Sequence, residues 1–313
     1  GNDELDLGAN ATGFGLALTS VSASGFDGTA TGTPAPLTGF ANVDSINGGA
    51  GADSLIGLDQ PTSWGVDAVS HQYLDVSSSQ PLTFTAIETM QGGSDVDAFS
   101  VDGLQVGDLL GGGGNDSFTF TNQAVLTGSI DGGDGSDTVD WAGYLTAVDA
   151  TIGGPGTVDG LAGSTSGGTN PITSTFDNID TLTGATHDNN VLTGPDSVNA
   201  WVITGSNAGT LNGSTFSNMP HLAGGTDSDQ FEFQDGQGVS GSVDGGAGGD
   251  SLDLSAYTSN FEYVLTGPGS FDGSTGVTTG TPYNPIAEGF DNIDLLIGNL
   301  LTDELTGPDS VND

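Results

Sequence analysis

Residues 216–231 read FSNMPHLAGGTDSDQF. Two signals meet in this stretch. The first is a Phe, an Asn two residues later, an apolar residue, and an Asp 13 positions after the Phe. An interval of 12 or 13 also separates Phe40 from Asp53, Phe84 from Asp97, Phe176 from Asp188 and Phe290 from Asp303. The second signal is a glycine pair, an Asp a few residues on, and then a short apolar run. Abundant glycine multiplies glycine matches by chance, but it does not set a Phe-to-Asp interval. The unit therefore reads as one bend of a coil that repeats along an axis.

Longer repeats enclose these units. GGDGSDTVDW at 132–141 returns as GGAGGDSLDL at 245–254, and LTGPDSVN at 192–199 returns at 305–312, both at an offset of 113. FDNID at 176 returns at 290. An upstream copy aligns Asp3 with Asp137, Phe40 with Phe176 and Trp64 with Trp201, at offsets of 134 to 137. One extra glycine–aspartate turn near 92–116 accounts for the excess. The interval from Asp97 to Asp116 is 19, and that from Asp116 to Asp137 is 21, as is that from Asp229 to Asp250. A coil that touches only its neighbours can be inserted without disturbing the rest. The expected fold is therefore all-β: a parallel β-solenoid, of β-helix or β-roll type, with coils of about 19–23 residues. One continuous body is expected over 1–313, with long repeats at about 1–134, 135–247 and 248–313 (the last incomplete). Some fifteen coils at ~4.8 Å each give a rod of roughly 70 Å. The five repeat Phe residues should lie inside it, with Trp64 and Trp201 packed in the core. Asn42, Asn178, Asn218 and Asn292 should occupy a left-handed bend and stack as a ladder.

Composition restricts function. The 313 residues carry 41 acidic side chains, three His, and no Lys, Arg or Cys, for a net charge of −41. Such a chain cannot neutralise phosphate, which excludes nucleic acid and argues against anionic membrane surfaces. Cations are the natural partners, because only they relieve the self-repulsion. No apolar run is long enough to span a bilayer, so membrane insertion is not expected. The absence of cysteine leaves the redox compartment open.

GGAGADSLI (48–56), GGGGNDSFT (111–119), GGDGSDTVD (132–140) and GGAGGDSLD (245–253) match the nonapeptide GG-x-G-x-D-x-(apolar)-x. In this they resemble the repeats-in-toxin (RTX) proteins, secreted proteins that fold as calcium-loaded parallel β-rolls. GGSDVDAFS and GGTDSDQFE match except that Asp95 and Asp227 replace the fourth-position glycine. In that family the nonapeptides run in tandem, whereas here they recur at most once per coil. The resemblance implies Ca²⁺ held by the sixth-position Asp and by turn carbonyls. Ca²⁺ takes six to eight oxygens, more than one turn supplies. Sites are therefore expected between stacked turns: Asp97, Asp116 and Asp137 with Gly111, Gly113 and Gly132, and Asp229 and Asp250 with Gly245. Asp53 joins the candidate ligands on its motif. Like Asp3, Asp188 and Asp303, however, it lacks an adjacent matching turn and reads more simply as an Asx-type cap.

Catalysis finds little in the sequence. With 41 carboxylates, no single acid pair is informative about glycoside hydrolysis. His71, His187 and His221 fall at unrelated repeat positions. The expected function is non-enzymatic: an extracellular or cell-surface filament subunit, adhesin stalk, biofilm-matrix or surface-layer segment rigidified by Ca²⁺. Its partners would be copies of itself, head to tail, with acids at Asp303, Asp309 and Asp313 meeting Asp3 and Asp6 across bridging Ca²⁺, and cell-surface glycans. A carbohydrate-active β-helix enzyme or polysaccharide-binding module is the alternative.

Overall fold

In a computed structural model the protein is described at residues 2–32, 37–67, 71–167, 170–280 and 283–308. Asp309 and Asp313 lie outside these. The described residues hold 34 β-strands and no helix. Val, Thr, Phe and Ile supply the strands, and Gly, Asn and Asp supply the breaks between them. The chain divides into two compact units. The first comprises Gly1–Tyr144, Pro155–Thr165 and Thr169–Thr181, and the second comprises Leu145–Gly154, Ser166–Gly168 and Leu182–Asp313.

In the first unit one sheet runs in parallel through Thr62–Val66, Asp97–Val101, Ser117–Phe120 and Thr138–Asp140. Ala98 pairs with Ser117, and Ser117 with Thr138. From strand to strand the register thus advances by the same two intervals that separate the turn aspartates. A second sheet runs in parallel through Phe14–Ser22, Ser54–Ile56, Thr89–Gln91, Asp108–Gly113, Ile130–Asp134 and Phe176–Ile179. The second unit repeats both patterns. Asn199–Gly205, Asp229–Phe233, Ser251–Asp253 and Leu295–Ile297 form one parallel run. Val191–Thr193, His221–Gly225, Ser242–Gly246 and Gly289–Ile293 form the other.

The sheets are mixed, not purely parallel. Antiparallel meanders interrupt them at Thr62–Val66, His71–Asp75 and Gln80–Thr85, and at Asn199–Gly205, Ala208–Leu211 and Ser214–Ser217. Others run through Phe14–Ser22, Gly25–Gly32 and Gly39–Val43, and through Phe261–Pro268, Ser274–Gly280 and Gly289–Ile293. These excursions absorb the residues by which the long repeats exceed simple coils.

The core is aromatic and stacked. Trp64 lies on Phe99 at 5.4 Å, Phe99 lies on Phe118 at 5.0 Å, and Trp201 lies on Phe231 at 5.4 Å. Parallel register causes this, since it places like positions of successive strands above one another. Phe84, Phe176, Phe216 and Phe290 are buried as expected, but Phe40 is only half-buried. Phe40 sits on Gly39–Val43, whose other residues before Val43 are exposed.

The bend two residues after each repeat Phe is left-handed. Asn42, Asn178, Asn218 and Asn292 have φ between 54° and 58°, and Ala86, in the matching place after Phe84, has φ 53°. The expected Asn ladder does not form. Asn178 and Asn292 donate through Nδ2 to the carboxylates of Asp131 (2.6 Å) and Asp244 (2.7 Å). Asn tolerates this backbone region, and its side chain is used locally.

Candidate functional site

Each glycine–aspartate turn delivers its Asp side chain inward. Asp53, Asp97, Asp116, Asp137, Asp229 and Asp250 are all at most 2% exposed. The turns are stitched together by one recurring bond. The Asp97 N–H donates to Asp116 Oδ1 (2.7 Å), the Asp116 N–H to Asp137 Oδ1 (2.7 Å), and the Asp229 N–H to Asp250 Oδ1 (2.8 Å). Asp97, Asp116 and Asp137 thus form one ladder, and Asp229 and Asp250 another. Asp53 belongs to a third arrangement, accepting from the Phe14 N–H at 3.0 Å.

The ladders continue onto an acid that the sequence reading did not single out. Asp137 N–H donates to Asp180, Asp250 N–H to Asp294, Asp53 N–H to Glu88 and Asp3 N–H to Asp44, at 2.9 to 3.0 Å. All four acceptors stand four residues after a repeat Phe. That spacing was a signal, present in four of the five copies and broken only by Pro220.

The second carboxylate oxygen divides the turns into two kinds. At Asp53 and Asp97, Oδ2 accepts the N–H of the second turn glycine, Gly49 (2.7 Å) and Gly93 (2.8 Å). At Asp116, Asp137, Asp229 and Asp250, Oδ2 is buried and has no partner. The cause is backbone geometry. Gly112, Gly133, Gly225 and Gly246 have φ of +101°, +93°, +147° and +92°. That conformation points the N–H elsewhere, as when Gly246 donates to Asp244 at 3.0 Å.

Each orphaned oxygen borders the same glycine as a main-chain carbonyl. A Cβ built on Gly111 would lie 2.3 Å from both Asp116 Oδ2 and the Gly132 carbonyl. One on Gly224 would lie 2.1 Å from Asp229 Oδ2 and 2.3 Å from the Gly245 carbonyl. Gly132 and Gly245 crowd Asp137 and Asp250 in the same way, against the carbonyls of Asn178 and Asn292. The first turn glycine is therefore a steric requirement. By contrast, a Cβ on Gly113 meets nothing closer than 3.7 Å. Gly111→Ala should destabilise by about 1–3 kcal/mol, whereas Gly113→Ala should be close to neutral. Chemical denaturation of the two variants checks this; equal losses would contradict it.

Asn199 shows what such a position needs. It sits five residues after Gly194, as Asp229 does after Gly224. Its Nδ2 donates to the Pro195 carbonyl (2.9 Å), to Asp229 Oδ1 (2.7 Å) and, at 3.4 Å, to the Gly224 carbonyl. Where Asp replaces Asn, an acceptor takes the place of a donor and confronts the next carbonyl. Two acceptors in that position require a cation or a proton between them.

Electrostatics agree with this. Desolvation pushes the carboxyls of Asp116 and Asp229 up to about 7, and those of Asp137 and Asp250 to about 6. Backbone N–H donors oppose the rise and neighbouring carboxylates add to it. With Asp97, burial also raises the carboxyl, opposed first by the Thr62 hydroxyl.

The remaining candidates are placed differently. Asp188 is exposed, and Asn190 takes the buried position near it, accepting from the Val148 N–H at 3.0 Å. Asp303 accepts from the Asn299 N–H at 2.8 Å, a local cap. His221 is held by Ser242 at 3.0 Å and lies 4.0 Å from Glu288. Trp64 and Trp201 are fully buried and present no face for sugar stacking.

Fold and site together define an all-β chain with ladders of buried turn aspartates. No protein-family model matches the chain, and no curated protein matches it significantly. Among the described residues no helix is long and apolar enough to cross a membrane.

Proposed function

We propose that the chain is part of an extracellular structural protein, a filament subunit, adhesin stalk or surface-layer segment, built as a β-solenoid and rigidified by Ca²⁺ at its glycine–aspartate turns. One observation carries this reading: at Asp116, Asp137, Asp229 and Asp250 a buried carboxylate oxygen without a donor lies beside a main-chain carbonyl of a neighbouring strand, that of Gly132, Asn178, Gly245 and Asn292 in turn. Hard oxygen donors of this kind suit Ca²⁺. Asp97 and Asp53, whose second oxygens already accept an N–H, would support the turns more than bind the ion. Parallel registers that step by the interval between turn aspartates support the solenoid reading. A chain without Lys or Arg has no internal counter-charge, which supports dependence on an external cation.

In this role Ca²⁺ is structural. Binding to the folded state alone stabilises it by mass action, by about 2.7 kcal/mol at a hundredfold excess over Kd for each site. Thermal melts in millimolar Ca²⁺ and in chelator should therefore differ by many degrees. Coincident melts would show that the turns are complete without a cation. Head-to-tail assembly of copies, and contact with surface glycans, belong to the same proposal. Sedimentation in Ca²⁺ tests the first and glycan arrays the second.

A further inference from the structure

We propose a second class of cation site, in which Asp250, Asp272 and Asp294 hold one divalent ion of the calcium class, with the same site duplicated at Asp137, Asp159 and Asp180. Asp159 and Asp272 lie outside every glycine–aspartate nonapeptide and outside the turn ladders, and they add to the ladder ends at Asp137 with Asp180 and Asp250 with Asp294 a ligand that the turns do not supply.

The second unit shows the geometry. Asp250, Asp272 and Asp294 each offer a carboxylate oxygen, and these oxygens all lie within 4.8 Å of one another. Ligand oxygens 2.3–2.6 Å from one Ca²⁺ are separated by no more than about twice that distance. Each carboxylate is anchored through one oxygen. Asp250 Oδ1 accepts from the Asp229 N–H (2.8 Å), Asp272 Oδ2 from the Gly248 N–H (3.1 Å) and Asp294 Oδ2 from the Asp250 N–H (3.0 Å). The opposite oxygens of Asp250 and Asp272 are buried and have no partner, and Asp250 is 0% exposed. Three carboxylates held this close repel one another, and the chain has no Lys or Arg to offset them.

A dedicated loop supplies the middle ligand. PGSFDG at 268–273 closes on itself through the Gly269 N–H to the Gly273 carbonyl (3.2 Å), with Gly273 at φ +53°. Asn292 clamps it, accepting from the Phe271 N–H at 2.8 Å while donating to Asp244 at 2.7 Å. The first unit repeats the loop and its clamp. PGTVDG at 155–160 closes by Gly156 N–H to the Gly160 carbonyl (3.1 Å). Asn178 accepts from the Val158 N–H (2.7 Å) and donates to Asp131 (2.6 Å). Asp137 Oδ2 and Asp159 Oδ1 are again buried and unpartnered. In sequence the two loops stand one long repeat apart.

The test is calorimetric titration of the whole chain with CaCl₂, comparing Asp272→Asn, Asp159→Asn and the double variant. Each single variant should lose one bound equivalent or weaken it more than roughly tenfold, about 1.4 kcal/mol, and the double variant should lose two. The ladder residues are untouched, so the remaining equivalents should persist. If the turn reading is wrong and this one right, the double variant abolishes binding while Asp116→Asn leaves it unchanged. Unchanged stoichiometry and affinity in the double variant would overturn the proposal. So would an equal loss in Asp188→Asn, an exposed acid outside the cluster, because that would mean diffuse counter-ion binding. Should a variant fail to fold, anomalous scattering from unaltered protein crystals with Tb³⁺ decides: an ion among Asp250, Asp272 and Asp294 supports the site, and ions only elsewhere refute it.

Discussion

In chelator, Asp116→Asn and Asp229→Asn should each make the protein more stable, not less, by about 1–3 kcal/mol. The amide keeps Oδ1 as the acceptor for the upstream N–H and puts a donor opposite the Gly132 or Gly245 carbonyl. Asn199 already works this way in the unaltered chain. The same substitutions should shrink the stabilisation produced by Ca²⁺, because the position no longer needs a cation. Asp116→Ala should do the opposite. It removes the acceptor from the buried Asp97 N–H and leaves a void, costing ~2–4 kcal/mol. Asp303→Ala, which loses only a local cap, should cost less. Melts of the four variants with and without Ca²⁺ decide the matter. Asn variants as damaging as Ala would mean that the carboxylate charge itself is required in the apo fold.

Acidity gives the second large effect. The carboxyls of Asp116 and Asp229 are raised to about 7 and those of Asp137 and Asp250 to about 6, against unfolded values near 3.8. A group raised on folding contributes stability that is full below its unfolded pKa and lost as pH climbs through its folded pKa. In chelator the melting temperature should therefore fall by roughly 10 °C between pH 5 and pH 8, most steeply at the acid end of that range and levelling off above pH 7. By then the proton between the two acceptors has left, and nothing replaces it. In millimolar Ca²⁺ the fall should disappear, and Ca²⁺ affinity should weaken below pH 6 as protons compete. A chelated protein equally stable at pH 5 and pH 8 would show that these carboxylates are ionised at no cost, and the cation reading would lose its basis.

Much of this was legible in the residues themselves. The register of Ala98 on Ser117 and of Ser117 on Thr138 repeats the intervals between turn aspartates, because a parallel ladder copies sequence period into space. The left-handed bends at Asn42, Asn178, Asn218 and Asn292 follow from what Asn tolerates, and the burial of Trp64 and Trp201 from their matching repeat positions. The meanders were not legible, since a short apolar run carries no sign of whether its neighbour runs with it or against it. Nor was the split among the turns. GGSDVD and GGGGND both place Asp five residues after the first glycine, yet Gly93 donates to its Asp and Gly112 turns away. Glycine permits both conformations at similar cost, so the surrounding fold chooses. The acids of PGTVDG and PGSFDG stand in the sequence among 41 acidic side chains in all. Only tertiary structure brings Asp272 to Asp250 and Asp294, because charge is local in sequence but repulsion is set by distance in space.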